Sequence, residues 1–169
     1  MKRSVKYFLL FWLGLVSLTV QAQDPTDSIP GDPGALSVYS IQDLQFGAFS
    51  TGASGGSVTI SPTGTRSVSG TVTAIDLGFS YNQAIFEIAA PLGVTITVMN
   101  GSNVSLTGSN GGSMTLQLGS ASPASPFINA VPSPGHTSIG IGGTLTVGNA
   151  AANPPGTYSG TFYVTFNQE

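Results

Sequence analysis

Groups that could do chemistry are few in this chain, and their spacing is unhelpful. Gly52-Ala53-Ser54-Gly55-Gly56 fits the pattern G-x-S-x-G. In that pattern a serine on a sharp strand-to-helix turn offers its hydroxyl for acyl transfer. The chemistry needs a helix after the serine and a base beside it. Here a run of strand type follows, and the single histidine, His136, stands in a Pro-Gly loop. With 23 glycines in the chain, such a match arises from composition. Asp76 and Glu87 would be the pair for a glycosidase mechanism, but each stands alone beside a strand. A structural zinc needs about four ligands, and the chain has one His and no Cys. No lysine follows Lys6 to form a Schiff base. The sequence therefore predicts a non-enzyme with no catalytic residue, no metal ligands and no cofactor. His136 reads as a solvated loop residue. Arg66 reads as structural, pairing with a carboxylate or bridging the carbonyls of a turn.

Composition and charge narrow the class further. Lys2, Arg3 and Lys6 precede an apolar run from Tyr7 to Val20, and Val20-Gln21-Ala22 fits a small-residue cleavage site. That predicts a signal peptide over residues 1–22, and no membrane insertion after cleavage. Of the 169 residues, 147 then remain, enough for one domain with a sizeable core. Arg66 alone faces seven carboxylates, so the net charge after cleavage is −6. Nucleic-acid binding requires Lys and Arg to neutralise phosphates, and none is expected. An exported chain without cysteine must draw its stability from sheet packing rather than disulfides. The expected location is secreted: periplasm, outer cell surface or extracellular.

The elements that carry these residues alternate with period two. Residues 23–35, rich in Pro and Asp, read as a flexible N-terminal arm, and 36–169 as a single domain. Strands are expected at Leu36–Ile41, from Val58, over Val68–Ala74, over Ala84–Ile88, and from Val94. The Phe49-to-Gly56 stretch and Ser61-Pro62-Thr63-Gly64 read as turns. Asn100-Gly101 reads as a hairpin turn with Val104–Thr107 pairing back, and Asn110-Gly111-Gly112 as a turn into Met114, Leu116 and Leu118. The loop from Ser120 to Gly135 is expected to tuck Phe127 and Ile128 inward. At the end, Ile139, Ile141, Leu145 and Val147 share one parity, and Tyr158, Phe162, Val164 and Phe166 share another. With Gly-Asn-Pro-Pro between them, this reads as a closing hairpin. Nowhere does an apolar period of 3.6 appear. The prediction is all-β: an antiparallel immunoglobulin-like or pilin-like β-sandwich of about seven to nine short strands.

Several stretches carry a family likeness. Leu44-Gln45-Phe46-Gly47, Gly56 to Gly70, Gly143-Thr144-Leu145-Thr146-Val147, and Pro155 to Thr165 resemble a family of secreted bacterial β-sandwich domains described only as a domain of unknown function. The resemblance implies a bacterial, Gram-negative source and brings no catalytic residues. A looser resemblance is to chaperone–usher fimbrial subunits and spore-coat-U-like domains. Those end in an alternating strand preceded by a glycine, as Gly156 precedes Phe162, Val164 and Phe166 here. Gln168 in place of a penultimate aromatic and the missing disulfide depart from that pattern.

The expected function is a structural or adhesive surface protein, pilin-like, assembling by β-strand complementation. Self-association or a periplasmic chaperone would supply the partner. The candidate donor is the N-terminal arm with Leu36 and Val38; the candidate acceptor lies beside Gly156, Tyr158, Phe162, Val164 and Phe166. The alternative is a stand-alone carbohydrate- or ligand-binding module that stacks a glycan on Tyr39, Tyr81, Tyr158, Tyr163, Phe49 and Phe79.

Overall fold

The structure is a computed structural model and describes residues 34–169. The expected signal peptide, 1–22, and the arm as far as residue 33 lie outside the described residues. Among the described residues there is no helix, so none is long and apolar enough to cross a membrane. Thirteen strands occur among the described residues. Four are two-residue pairings: β2 (Gln45–Phe46), β5 (Tyr81–Asn82), β10 (Phe127–Ile128) and β12 (Tyr158–Ser159). The nine longer ones are β1 (Ser37–Gln42), β3 (Ala48–Ile60), β4 (Arg66–Ile75), β6 (Ala84–Ala89), β7 (Thr95–Asn100), β8 (Val104–Gly108), β9 (Ser113–Ser122), β11 (Thr137–Val147) and β13 (Val164–Gln168). Every pairing is antiparallel.

Strand β11 is the axis. One of its edges is shared: Thr137–Ile141 pairs with β6, and Gly143–Val147 pairs with β3. Its other edge pairs with β9. Beyond β6 lies β1; beyond β3 lies β4; beyond β9 lie β8 and β12. A second sheet runs β10-β7-β13, and β2 pairs with β5. Alternation decides which side chains go inward. Ile139, Ile141, Leu145 and Val147 are buried, while Ser138 and Thr146 are exposed.

The two ends of β11 are covered differently. At its first half, Ile139 and Ile141 pack with Ala84, Ile88 and Ile96, flanked by Phe86, Phe127, Val164 and Phe166. These come from both sheets, so this end is a sandwich. At its second half, Leu145 and Val147 pack with Val58, Ile60 and Val72 from one flank and Leu106, Met114 and Leu116 from the other. Here the main sheet curls around its own core as a half-barrel. Leu44, Leu118 and Phe162 touch both clusters, so the core is continuous.

The curl is visible in β3 and β4. Ile60 pairs with Arg66, and Ala48, twelve residues earlier, pairs with Ile75. A flat strand of that length would span about 40 Å. Yet Arg66 Nη1 donates to the carbonyls of both Phe46 and Ala48 at 3.3 Å. The hairpin therefore bends back on itself. The bend lies where four residues of β3, 52–55, oppose Thr71 alone. Gly55 and Gly70 take positive φ there, a conformation other residues adopt only with strain.

Four local expectations are corrected. The glycine-rich run at 49–56 is a wide bulge inside one strand, not a turn. Val104–Thr107 does not pair back across Asn100-Gly101. β7 belongs to the second sheet and β8 to the first, and the Gly101 amide instead donates to the Tyr163 carbonyl. The closing hairpin does not form either. β13 pairs with β7, and Tyr158–Ser159 pairs with β8, so β11 and β13 stand in different sheets. In the 120–135 loop, Phe127 packs on the core as expected, but Ile128 is 67% exposed.

Candidate functional site

The residues singled out for chemistry are dispersed. Ser54 sits on the β3 bulge, its amide bonded to Thr71 Oγ1. His136 lies just before β11, with Nδ1 3.3 Å from Glu87 Oε2 and its ring 5.4 Å from that of Tyr39. Asp76 Oδ1 accepts the Gly78 amide in a tight local turn. The acids Asp76 and Glu87 thus serve separate partners. Among the described residues, no group of three or more His, Cys, Asp or Glu gathers. Arg66 bridges backbone carbonyls, and the Tyr81 ring lies 4.2 Å from its guanidinium carbon. That contact orders the hairpin end and the β5 ladder together.

The aromatic residues split as well. Phe49 and Tyr158 pack on the half-barrel core, and the Tyr158 hydroxyl donates to the Pro154 carbonyl at 2.8 Å. Tyr39 stands on β1 and Tyr163 precedes β13, both exposed. Leu77, Phe79 and Tyr81 are exposed and alternate along the chain before β6, and the Tyr81 ring faces Arg66.

The strand-exchange candidates do converge in part. Leu36 packs on the sandwich core with Phe162, Val164 and Phe166. The Phe166 ring lies 5.4 Å from that of Phe86. Gln168 Nε2 donates to the Gly34 carbonyl at 3.0 Å, which fastens the entry of β1 to β13. The backbone ladder goes elsewhere: β1 pairs with β6, setting Val38 opposite Ile88 and Tyr39 opposite Glu87. Val38 is at the outer edge. Gly156 and Tyr158 lie at the opposite flank, against β8. Thr157 donates its amide to Ser109 Oγ, and Asn110 Nδ2 donates to the Pro155 carbonyl. So the chain's own β1 forms its ladder on β6 rather than on the strand beside Gly156 to Phe166 where the donor was expected to act, and the bond from Gln168 to Gly34 ties its entry to β13.

Two features escaped the sequence reading. Gly140 and Gly142 lie where β3 leaves β11 and β6 takes over. A side chain at Gly140 would strike the Pro62 carbonyl, and one at Gly142 the Ile60 carbonyl. The signal was present: glycines within a strand mark close backbone approach. The second is Asn129, buried in the sandwich end. Its Nδ2 donates to the carbonyls of Ala90, Pro91 and Val131, and its Oδ1 accepts from Thr137 and Val131. No periodicity announces such a residue.

No curated protein and no solved structure matches the chain. The model of the family described as Domain of unknown function (DUF4402) matches residues 36–167, from the residue before β1 into β13, and the chain belongs to that family.

Proposed function

We propose that this chain is a non-enzymatic structural or adhesive component of the cell surface that assembles by β-strand complementation, with β1 as the exchanged strand. One observation carries the reading. Leu36 packs on the sandwich core and Gln168 of β13 donates to the Gly34 carbonyl just before β1, while β1 is hydrogen-bonded to β6 alone among the described strands. In a single copy β1 complements its own domain. In an assembly, β1 of one copy fills the same place in the next, and each contact is kept except the path of the chain at Asp43. Export is supported by the basic residues, apolar run and Ala22 at the start of the sequence. A non-enzymatic role is supported by the place of Ser54 beside the far end of β11 from His136, and by the separate partners of Asp76 and Glu87.

The chain has no cysteine, which makes the test clean. Tyr39 and Glu87 are direct cross-strand partners, at a Cα separation that suits a disulfide. In Tyr39→Cys/Glu87→Cys protein, oxidation links β1 to whichever β6 it occupies. Exchange predicts covalent chains between copies; linkage within single copies at every concentration overturns it.

A second reading draws on Phe79, 69% exposed and two residues before Tyr81, whose ring lies against Arg66. Two exposed rings and a cation suit stacking on a sugar. Glycan-array binding that Phe79→Ala abolishes, without any effect on assembly, would establish this reading over the first.

A further inference from the structure

We infer that Asn82 is a latch that keeps β1 in its own domain, holding the chain at the residue about which an exchanged β1 would turn. The inference rests on β1 as the exchanged strand and says what opposes the exchange.

The turning point is confined by what lies on each side of it. After Asp43 the chain is fixed. Leu44 packs against both core clusters, Phe46 is buried, β2 pairs with β5, and the Phe46 carbonyl accepts from Arg66 Nη1. Before Asp43 the chain is β1. Ile41 is the extra residue of a bulge between Ser40, opposite Phe86, and Gln42, opposite Ile85, and it is exposed. A bulge at this point bends the strand and ends the ladder. Gln42 then closes β1 onto its partner, its Nε2 donating at 2.8 Å to the carbonyl of Gln83, the residue before β6. That leaves Asp43 as the hinge.

Among the described residues, the side chain that spans the hinge is that of Asn82, whose Nδ2 donates to the Asp43 carbonyl at 2.7 Å. Exchange treats the two amides differently. Gln42 travels with β1, and Gln83 precedes β6 in every copy, so that bond is remade in whichever copy β1 enters. The Asp43 carbonyl has no such freedom. With Gln42 in one copy and Leu44 in the other, residue 43 alone bridges them, across at most about 7 Å between the flanking Cα atoms. Straightening the chain to do so turns its carbonyl away from Asn82. The Asn82 bond therefore stabilises the closed form alone, whereas the Gln42 bond stabilises the closed and exchanged forms alike.

The test compares these amides in the full Tyr39→Cys/Glu87→Cys chain, equilibrated while reduced at one concentration and then oxidised. Asn82→Ala should raise the ratio of linkage between copies to linkage within them by about fivefold, the scale of one hydrogen bond. Asn82→Asp should raise it at least as much, since a carboxylate oxygen then faces the Asp43 carbonyl. Gln42→Ala should leave the ratio unchanged and shorten the time taken to reach it. In single copies, hydrogen exchange of the β1 amides should quicken in Asn82→Ala while that of the β13 amides does not. Where copies link, a ratio that Asn82→Ala leaves unchanged, or that Gln42→Ala shifts as much, overturns the latch and leaves β1 exchange standing. Where they link in no variant, β1 exchange fails and the β1 amides decide the latch: quickened, it stands; unchanged, it falls.

Discussion

The two halves of β11 share one strand and one alternation, yet they close their cores by different means. Around Thr137–Ile141 a second sheet, β10-β7-β13, lies over the first. Around Gly143–Val147 no second sheet is needed, because β3 and β4 curl toward β8 and β9 until Val72 and Leu106 join one cluster. Period-two alternation specifies which face is buried but not what covers it. The cover is decided by backbone devices: a chain crossing at Gly101 for the sandwich, a four-residue bulge for the half-barrel.

The largest test of this contrast is whether the ends fold together. Ile139→Ala empties the sandwich core and Leu145→Ala the half-barrel core, and each should lower stability by about 3–4 kcal/mol. Because Leu44, Leu118 and Phe162 belong to both clusters, urea unfolding followed by fluorescence and by circular dichroism should give one coincident transition in both variants. Two separated transitions would show that the halves are independent.

The junction comes next. At Gly142 a valine would drive side-chain atoms into the Ile60 carbonyl where β3 hands over to β6. Gly142→Val should cost about 2–3 kcal/mol through overpacking. Thr146→Val, exposed on the same strand, should change stability by less than about 0.5 kcal/mol. Thermal unfolding of the pair separates close approach from the mere introduction of a valine on β11.

Legibility in the sequence followed the same division. The parity of Ile139 to Val147, of Tyr158 to Phe166 and of Val68 to Ala74 was readable, because burial on one face imposes period two. Nine strands of five residues or more matched the expected number. Partners were not readable. Asn100-Gly101 and Asn110-Gly111-Gly112 look alike as turns, but only the second joins paired strands. A turn signal reports local reversal, while sheet membership depends on contacts far along the chain. Of the exchange candidates, Leu36 and Phe166 were legible as apolar ends of alternating runs. That both would pack on the same core cluster while β1, which follows Leu36, pairs its backbone with β6 depends on topology alone. The β4 edge was readable as a strand and unreadable as an edge.

Each half also has a buried asparagine, and these give the third comparison. Asn129 serves the sandwich with donors to three carbonyls. Asn153 serves the half-barrel, donating to the Ser113 carbonyl and accepting the Gly148 amide. Truncation to Ala strands buried backbone groups in both, costing about 1–3 kcal/mol. Asn129→Ala should be the costlier, since it also leaves Thr137 Oγ1 without its partner. Hydrogen exchange should quicken first at the amides of Val131 and Gly93 in one variant and at that of Gly148 in the other. Equal effects on both regions would mean that neither asparagine acts locally.

The smallest effects separate the two polar contacts at the sheet edges. His136–Glu87 lies on the β1 side, with both side chains more than a third exposed. Water screens such a pair, so His136→Ala should change stability by less than about 0.5 kcal/mol. Arg66 is half-buried and its partners are carbonyls rather than a carboxylate. Arg66→Gln should cost about 1 kcal/mol, the scale of lost hydrogen bonds offset by partial exposure. It should also act on shape: without the tie, the β3–β4 hairpin opens at its ends, and amide exchange rises at Ala48–Thr51. If Arg66→Gln leaves exchange there unchanged, the bulge alone holds the curl and the half-barrel closes through its backbone without help from the cation.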